Sequence, residues 1–286
     1  MTQHNKQYTP WMLALPSFLL FTGMVILPLI LVGILSFNVF DYNKGVMDSY
    51  TWSNYITVIT DSYYLEIFWR TIKLSLITTI ICIFFGGSEA YILARMQAPW
   101  RSIFLLVILG PLLVSVVVRA FGWSMVLGSQ GGWGELQSLL GFVPSTLLYT
   151  EYAIVIALVH IMLPFMVIPV WTSLTKIDPM LEAAALTLGA SRFTAFRRIV
   201  LPQATLGILS GSLLVFSLSA SSFAIPGLLG GRRLKMAATV VYDEFMVDLN
   251  WPQGAAISIL ILISILFIMI GCNQYVETRA KKKLYQ

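Results

Sequence analysis

The chain has 286 residues, 58% hydrophobic and 11% charged, with a mean hydropathy of +0.83. Soluble domains carry about 25% charged residues, so this composition excludes a chain that is mostly water-soluble enzyme. The formal charge of +5 is split among several short loops, which argues against a nucleic-acid patch and for a membrane-topology signal.

Six apolar blocks are long enough to cross a bilayer, which takes roughly 20 residues. In chain order they are Trp11–Phe37, Phe68–Ala94, Ile103–Leu127, Tyr152–Leu174, Ala204–Leu229 and Ala255–Val276. Each is expected to be helical, because lipid requires every backbone polar group to be satisfied within its own segment. Prolines at 16, 28, 111, 164, 169 and 226 fall within these blocks and predict kinks. The first block is longer than a signal-peptide core and has no A-x-A site, so it reads as a retained anchor.

The loops alternate in charge. Lys6, Arg95, Arg101, Lys176, Arg192, Arg197, Arg198, Arg279 and Lys281–Lys283 fall on one side of the alternation. Lys44, Arg232, Arg233 and Lys235 fall on the other, diluted by acids from Asp41 to Asp248. The excess of Lys and Arg marks the first side as cytoplasmic. Both termini are therefore expected inside, in a multi-pass membrane protein.

Catalytic signatures are missing from the sequence. It contains no G-x-x-x-x-G-K-[ST] phosphate loop, no H-E-x-x-H zinc pair and no G-x-S-x-G elbow. Cys82 and Cys272 both fall within apolar blocks and form no C-x-x-C or metal spacing. His160 lies mid-block, where an interhelical hydrogen bond is the favoured reading over a proton relay.

Between the fourth and fifth blocks the composition changes, in "EAAALTLGASRFTAFRRIVLP". Asp178 followed by Pro179 predicts a helix start, with Asp as N-cap and Pro at the first helical position. Glu182 lies in the first turn, where the helix dipole favours an anion, and Gly189 predicts the stop. Met180, Leu181, Ala184 and Leu188 share one face of this short helix. Ser191 is placed to cap a second helix, on which Phe193, Phe196 and Val200 share a face, and Pro202 marks the start of the fifth block. Alanine anchors a membrane poorly, whereas small side chains let another surface approach closely.

This segment resembles the EAA loop of ABC importer permeases, whose pattern is E-A-A, three residues, G, nine residues, I-x-L-P. From Gly189 through Ile199, Leu201 and Pro202 the match is complete. At the front the family glutamate falls on Ala183, one place after Glu182, a shift of about 100° around a helix. Nearly the whole chain is similar to the spermidine/putrescine-type subfamily, in "PLLVSVVVRAFGW", "LPFMVIPVWTSLTKIDP", "SGSLLVFSLSASSFAIPGLLGG" and "WPQGAAIS". The resemblance implies an all-α membrane protein of the type I ABC importer permease fold, with six spans and a cytoplasmic coupling helix. Residues 1–286 then form one permease domain containing the coupling loop at 178–202. The implied partners are a cytoplasmic ABC ATPase dimer, a second and homologous permease subunit, a soluble extracytoplasmic binding protein and membrane lipid. ATP and Mg belong to the ATPase, and no cofactor is expected in this chain. Asp178, Glu182, Ala183, Ala184, Gly189, Ile199, Leu201 and Pro202 are the implied ATPase-coupling residues.

The implied solute is small and organic. A polyamine-like solute is favoured, with an amino-acid-like, phosphonate or other small organic molecule as the alternative. Glu89, Arg119, Trp123, Ser219 and Ser222 are the candidate path residues, since polar groups inside a membrane are costly and often functional. Each also has a plainer reading. Glu89 can pair with Arg95 or snorkel, and Arg119 can serve structure or gating. Trp123 can stack on a cation or sit in the interfacial belt, and the serines can bond across helices. Relatives often carry an acid at the position of Ser222. Gly207 and Gly211 form a G-x-x-x-G step that allows close helix contact, within the chain or with another permease. The segments "GSQGGWG" and "YDEFMVDLNW" are candidate surface for the binding protein. A secondary transporter or channel needs an ion-coupling site, and an embedded enzyme needs a nucleophile, acid pair or metal site; the sequence displays neither.

Overall fold

Hydrophobic length and proline placement together account for the helices in the computed structural model, which describes residues 9–284. Helix α1 spans Thr9–Leu35 and runs through Pro16 and Pro28. A hairpin follows, β1 Asn38–Asp41 paired antiparallel with β2 Gly45–Tyr50, and then α2, Ser53–Thr60. The hairpin adds a strand element to the predicted all-helical chain. Its turn is closed by Asp41, whose Oδ1 accepts from the backbone N–H of Asn43 (2.8 Å) and Lys44 (3.1 Å). Helix α3 covers Ser62–Arg95. Helices α4 (Trp100–Leu109), α5 (Val116–Leu127) and α6 (Gly132–Leu139) lead to α7, Glu151–Leu174. Short helices α8 (Pro179–Thr187) and α9 (Arg192–Ala195) precede α10, Leu201–Ala220. Helices α11 (Ala224–Leu229), α12 (Ala237–Met246) and α13 (Trp251–Leu284) complete the chain. Five of these helical stretches are long and apolar enough to cross a membrane, or six if the bent third segment counts as one span.

Two predicted spans are broken, each within a few residues of a proline. Residues 103–127 do not form one helix: α4 passes into a 3₁₀ turn at Gly110–Leu113, Val114 is extended, and the segments on either side meet at 98°. Pro111 has no N–H to donate to the turn before it. Residues 204–229 divide as well, because α10 stops at Ala220 and α11 starts at Ala224. Pro226 cannot donate to Ser222, and its ring crowds that carbonyl. By contrast α7 continues through Pro164 and Pro169.

The chain forms two compact units. One comprises the chain up to Asp61 with Val241–Leu262, the other Ser62–Val240 with the chain from Ile263 onward. In the first unit the hairpin is fastened to α2 by Asn54, whose Nδ2 donates to the carbonyls of Ser36 and Asn38, both at 2.9 Å. In the second, α3, α7 and α10 pack around Leu74, Leu158, Met166, Val170 and Val215. The Gly207/Gly211 step lies against α7 of the same chain. A Cβ on Gly207 would meet the carbonyl oxygen of Pro169 at 2.6 Å, and one on Gly211 would meet Met166 Sδ at 2.8 Å. The alternatives left by the sequence are thus resolved in favour of an internal contact. Most large hydrophobics of α1 are exposed, as expected of a helix whose surroundings are lipid.

Candidate functional site

The predicted elbow forms as its residue types dictate. Asp178 Oδ1 accepts from the Met180 N–H at 2.9 Å and caps α8, with Pro179 at its first position. At the other end Gly189 has φ +87°. Its N–H donates to Leu186 O (3.0 Å) and the Ala190 N–H donates to Ala185 O (3.0 Å), the paired pattern that closes a helix on a left-handed residue. Ser191 then caps α9, its Oγ accepting from the Thr194 N–H at 3.2 Å. The predicted shared face of Phe193, Phe196 and Val200 does not form. Phe193 is exposed, while Val200 is buried. Residues Phe196–Val200 adopt a π-turn, which is wider than an α-turn and breaks the 3.6-residue spacing that the expectation assumed. Ile199 lies in that turn, and Leu201 and Pro202 begin α10.

The two faces of α8 differ. Met180, Leu181, Ala184 and Leu188 are exposed, with Leu188 at 88%, and Ala183 is also open. Glu182 points the other way and is 8% exposed. It forms an ion pair with Arg95 at the end of α3, and Tyr91 Oη donates to its Oε1 at 3.2 Å. The Arg95 guanidinium lies 5.1 Å from the Tyr91 ring centroid, and Tyr91 meets Phe196 edge-on at 5.2 Å. Tyr91 and Arg95 are one helical turn apart, so a single face of α3 holds α8 through Glu182 and the π-turn after α9 through Phe196. Arg95 is thereby committed to Glu182 rather than Glu89. A cleft of about 470 Å³ lies beside this joint, lined by Tyr91, Val170, Phe196, Leu201 and Ile208 among others.

Because Gly189 has no heavy atom within 4 Å of a built Cβ, a side chain there costs only the left-handed backbone, about 1 kcal/mol. Gly189→Asp should therefore leave membrane abundance near normal. It should impair what touches the elbow, read as loss of a co-purifying ATPase or of solute-stimulated hydrolysis. Wild-type levels of both would show that this turn is not a docking element.

The path candidates separate. Glu89 is half-buried on α3 with no ion pair or hydrogen bond among the described residues. Trp123 Nε1 donates to His160 Nδ1 at 3.2 Å, joining α5 to α7 as expected for His160. Arg119, one turn earlier on α5, keeps Nε and Nη1 buried without a partner among the described residues. Ser219 is fully buried, with its Oγ likewise unpartnered. Ser222 lies beyond the end of α10, its N–H donating to Ser219 O at 3.2 Å. The serines thus mark a helix end rather than mid-span. Lys6, Arg279 and Lys281–Lys283 lie outside the residues whose side chains are described.

A polar group at the other end of α3 escaped the sequence reading. Lys73 Nζ donates to Glu151 Oε1 (2.7 Å) and Oε2 (2.6 Å). Arg70 lies 3.9 Å from Glu151, pairs with Glu66, and donates from Nη1 to Lys235 O at 3.3 Å. The available signal was Glu66-x-x-x-Arg70, an i,i+4 pair of opposite sign. Its partner Glu151 is remote in sequence and gave no signal.

Residues 8–282 match the family described as Binding-protein-dependent transport system inner membrane component. The chain is 30% identical over 270 residues to the spermidine/putrescine transport system permease protein PotB of Haemophilus influenzae, covering 93% of each chain. It is 33% identical over 262 residues to PotB of Escherichia coli, covering 91% of this chain and 93% of the relative. Among solved structures, a bacterial alginate ABC transporter in complex with an alginate pentasaccharide-bound periplasmic protein has a chain of the same fold. The TM-score is 0.80 at 16% identity, with 96% of each chain covered. The chain therefore belongs to the binding-protein-dependent transport system inner membrane component family and is a multi-pass permease subunit of an ABC importer rather than an enzyme.

Proposed function

We propose that this permease carries a polyamine-like cation, delivered by a soluble extracytoplasmic binding protein, and is driven by a cytoplasmic ATPase dimer seated on residues 178–202. The chain acts as one permease domain paired with a second, homologous permease, with ATP and Mg held by the ATPase. Both termini and the coupling loop are cytoplasmic. The carrying observation is the two-faced α8. Its apolar face is open for a partner, while Glu182 on the opposite face is tied to α3. A push on α8 is then delivered to α3, and through α3 to α7 and α10, which pack on it. The solute assignment rests on the two PotB relatives, and Glu89 is the carboxylate available to a passing cation.

Reconstitution with the ATPase, the second permease and the binding protein tests this directly. Spermidine or putrescine should be taken up in preference to amino acids or phosphonates. Glu89→Gln should slow that uptake several-fold at unchanged membrane abundance, since it removes attraction but almost no volume. Reduced abundance with normal uptake kinetics would make Glu89 structural. A cysteine at Thr194 should be shielded from an impermeant external reagent, and cysteines at Ser49 and Ser138 should react. External labelling at Thr194 would reverse the orientation.

A further inference from the structure

A small charged cleft of about 180 Å³ lies where the start of α3 meets the loop after α11. It is bounded by Tyr63, Glu66, Arg70, Arg232, Arg233 and Lys235. Arg70 is turned inward, its side chain 12% exposed, and is held by Glu66 and by the carbonyl of Lys235. Arg232 and Arg233 are exposed and have no ion pair or side-chain hydrogen bond among the described residues. Arg232 has φ +61°, a conformation that costs a residue with a Cβ free energy and is kept where the surroundings impose it. The loop is fixed nearby, because Thr71 Oγ1 accepts from the Ala237 N–H at 2.8 Å. Two free guanidinium groups are thus presented at fixed positions beside an inward arginine, with one carboxylate in the wall.

Depth identifies the occupant. If the hydrocarbon edge is set just past Lys73, the last charge before the uncharged run Leu74–Ser88, then Leu74 to Ala94 is roughly 31 Å of helix, the full hydrocarbon thickness. Arg70 then stands roughly 6 Å and Tyr63 roughly 16 Å beyond the hydrocarbon edge, whereas the headgroup layer adds only about 5–7 Å per side. With that edge, Arg70 on the cleft floor is level with the headgroups, and the side bounded by Glu66 and Tyr63 lies beyond them in water, open to a soluble partner. The cleft's volume admits one or two carboxylate side chains and no large solute. Arginine forks suit carboxylates in two-point geometry. A polyamine, which carries only positive groups, is repelled here.

We propose that the cleft between α3 and the Arg232–Arg233 turn is the receptor for acidic side chains of the extracytoplasmic binding protein. This rests on the importer reading above, with the loop after α11 on the outer side. Docking through this cleft places the binding protein over α3, the helix that also holds the coupling joint at its far end. Charges at the rim of an interface act mainly on encounter rate and salt dependence.

The test uses the complete complex in proteoliposomes, comparing wild type, Arg233→Lys and the double variant Arg232→Glu/Arg233→Glu. The readout is ATPase stimulation against binding-protein concentration at low and at near-physiological salt. In wild type the half-stimulating concentration should rise with salt. In the double variant it should rise at least tenfold at low salt and lose most of its salt dependence, with basal hydrolysis and ATPase co-purification unchanged. Arg233→Lys, which keeps the charge but loses the two-point fork, should fall between wild type and the double variant. An unchanged half-stimulating concentration in the double variant overturns the proposal while leaving the importer reading intact. Failure of the binding protein to stimulate wild type at all overturns the importer reading and this inference with it.

Discussion

Arg95→Ala should uncouple hydrolysis from transport, and it should do more harm than Glu182→Gln. The two partners are unequally buried: the Glu182 side chain is 10% exposed and that of Arg95 43%. Removing the arginine strands a carboxylate in a site with little water, a loss on the order of 2 kcal/mol or more at this joint. Removing the carboxylate's charge leaves an arginine that reaches solvent, which costs under about 1 kcal/mol. Met180, Leu181 and Leu188 remain exposed in both variants, so the ATPase should still bind. In Arg95→Ala, α8 is no longer fastened to α3, and solute uptake per ATP should fall at least tenfold. Exchanging the charges in Arg95→Glu/Glu182→Arg should recover part of the loss. Loss of ATPase binding together with uptake would instead place Glu182 at the subunit interface and remove the strap from the mechanism.

The second large effect is expected at Gly207. The atom facing a new Cβ is the Pro169 carbonyl oxygen at 2.6 Å, followed by Ser173 Cβ and Oγ at 2.7 Å. A backbone carbonyl inside a helix has no rotamer to change, so α10 must move away from α7. Val170, Ala204 and Val215 would lose packing along that seam. Overpacking of this kind costs about 1–3 kcal/mol and sometimes more, so Gly207→Leu should lower the amount of folded protein in the membrane several-fold. Gly207→Ala should fall between it and wild type. Gly271→Leu is the matched control, because a Cβ there meets nothing within 4 Å, and it should keep normal abundance. Thermal melting of the detergent-solubilised complex, read beside abundance, separates lost stability from poor insertion. Equal melting temperatures for Gly207→Leu and wild type would show that the two helices are not held at this distance.

The sequence by itself determined the membrane class, the apolar runs that form the membrane-length helices and the helix–turn–helix elbow at 178–202. Each of these depends on short-range chemistry. Span length is a property of one apolar run, and the Asp178 cap, the Gly189 stop and the Ser191 cap each involve residues a few positions apart. Prolines 111 and 226 were legible as disturbances, but whether a proline bends or breaks a helix depends on what satisfies the freed carbonyl. Pro164 and Pro169 stay within α7, while Pro111 and Pro226 mark breaks. Only the tertiary structure decided where Glu182 points. Its one-place offset was visible in the sequence, but its partners Tyr91 and Arg95 lie about ninety positions earlier, at the end of another helix. The same holds for Lys73 with Glu151 and Trp123 with His160, and for the choice of α7 as the surface against Gly207. These pairings join residues remote in sequence and are set by helix packing, which no local spacing encodes.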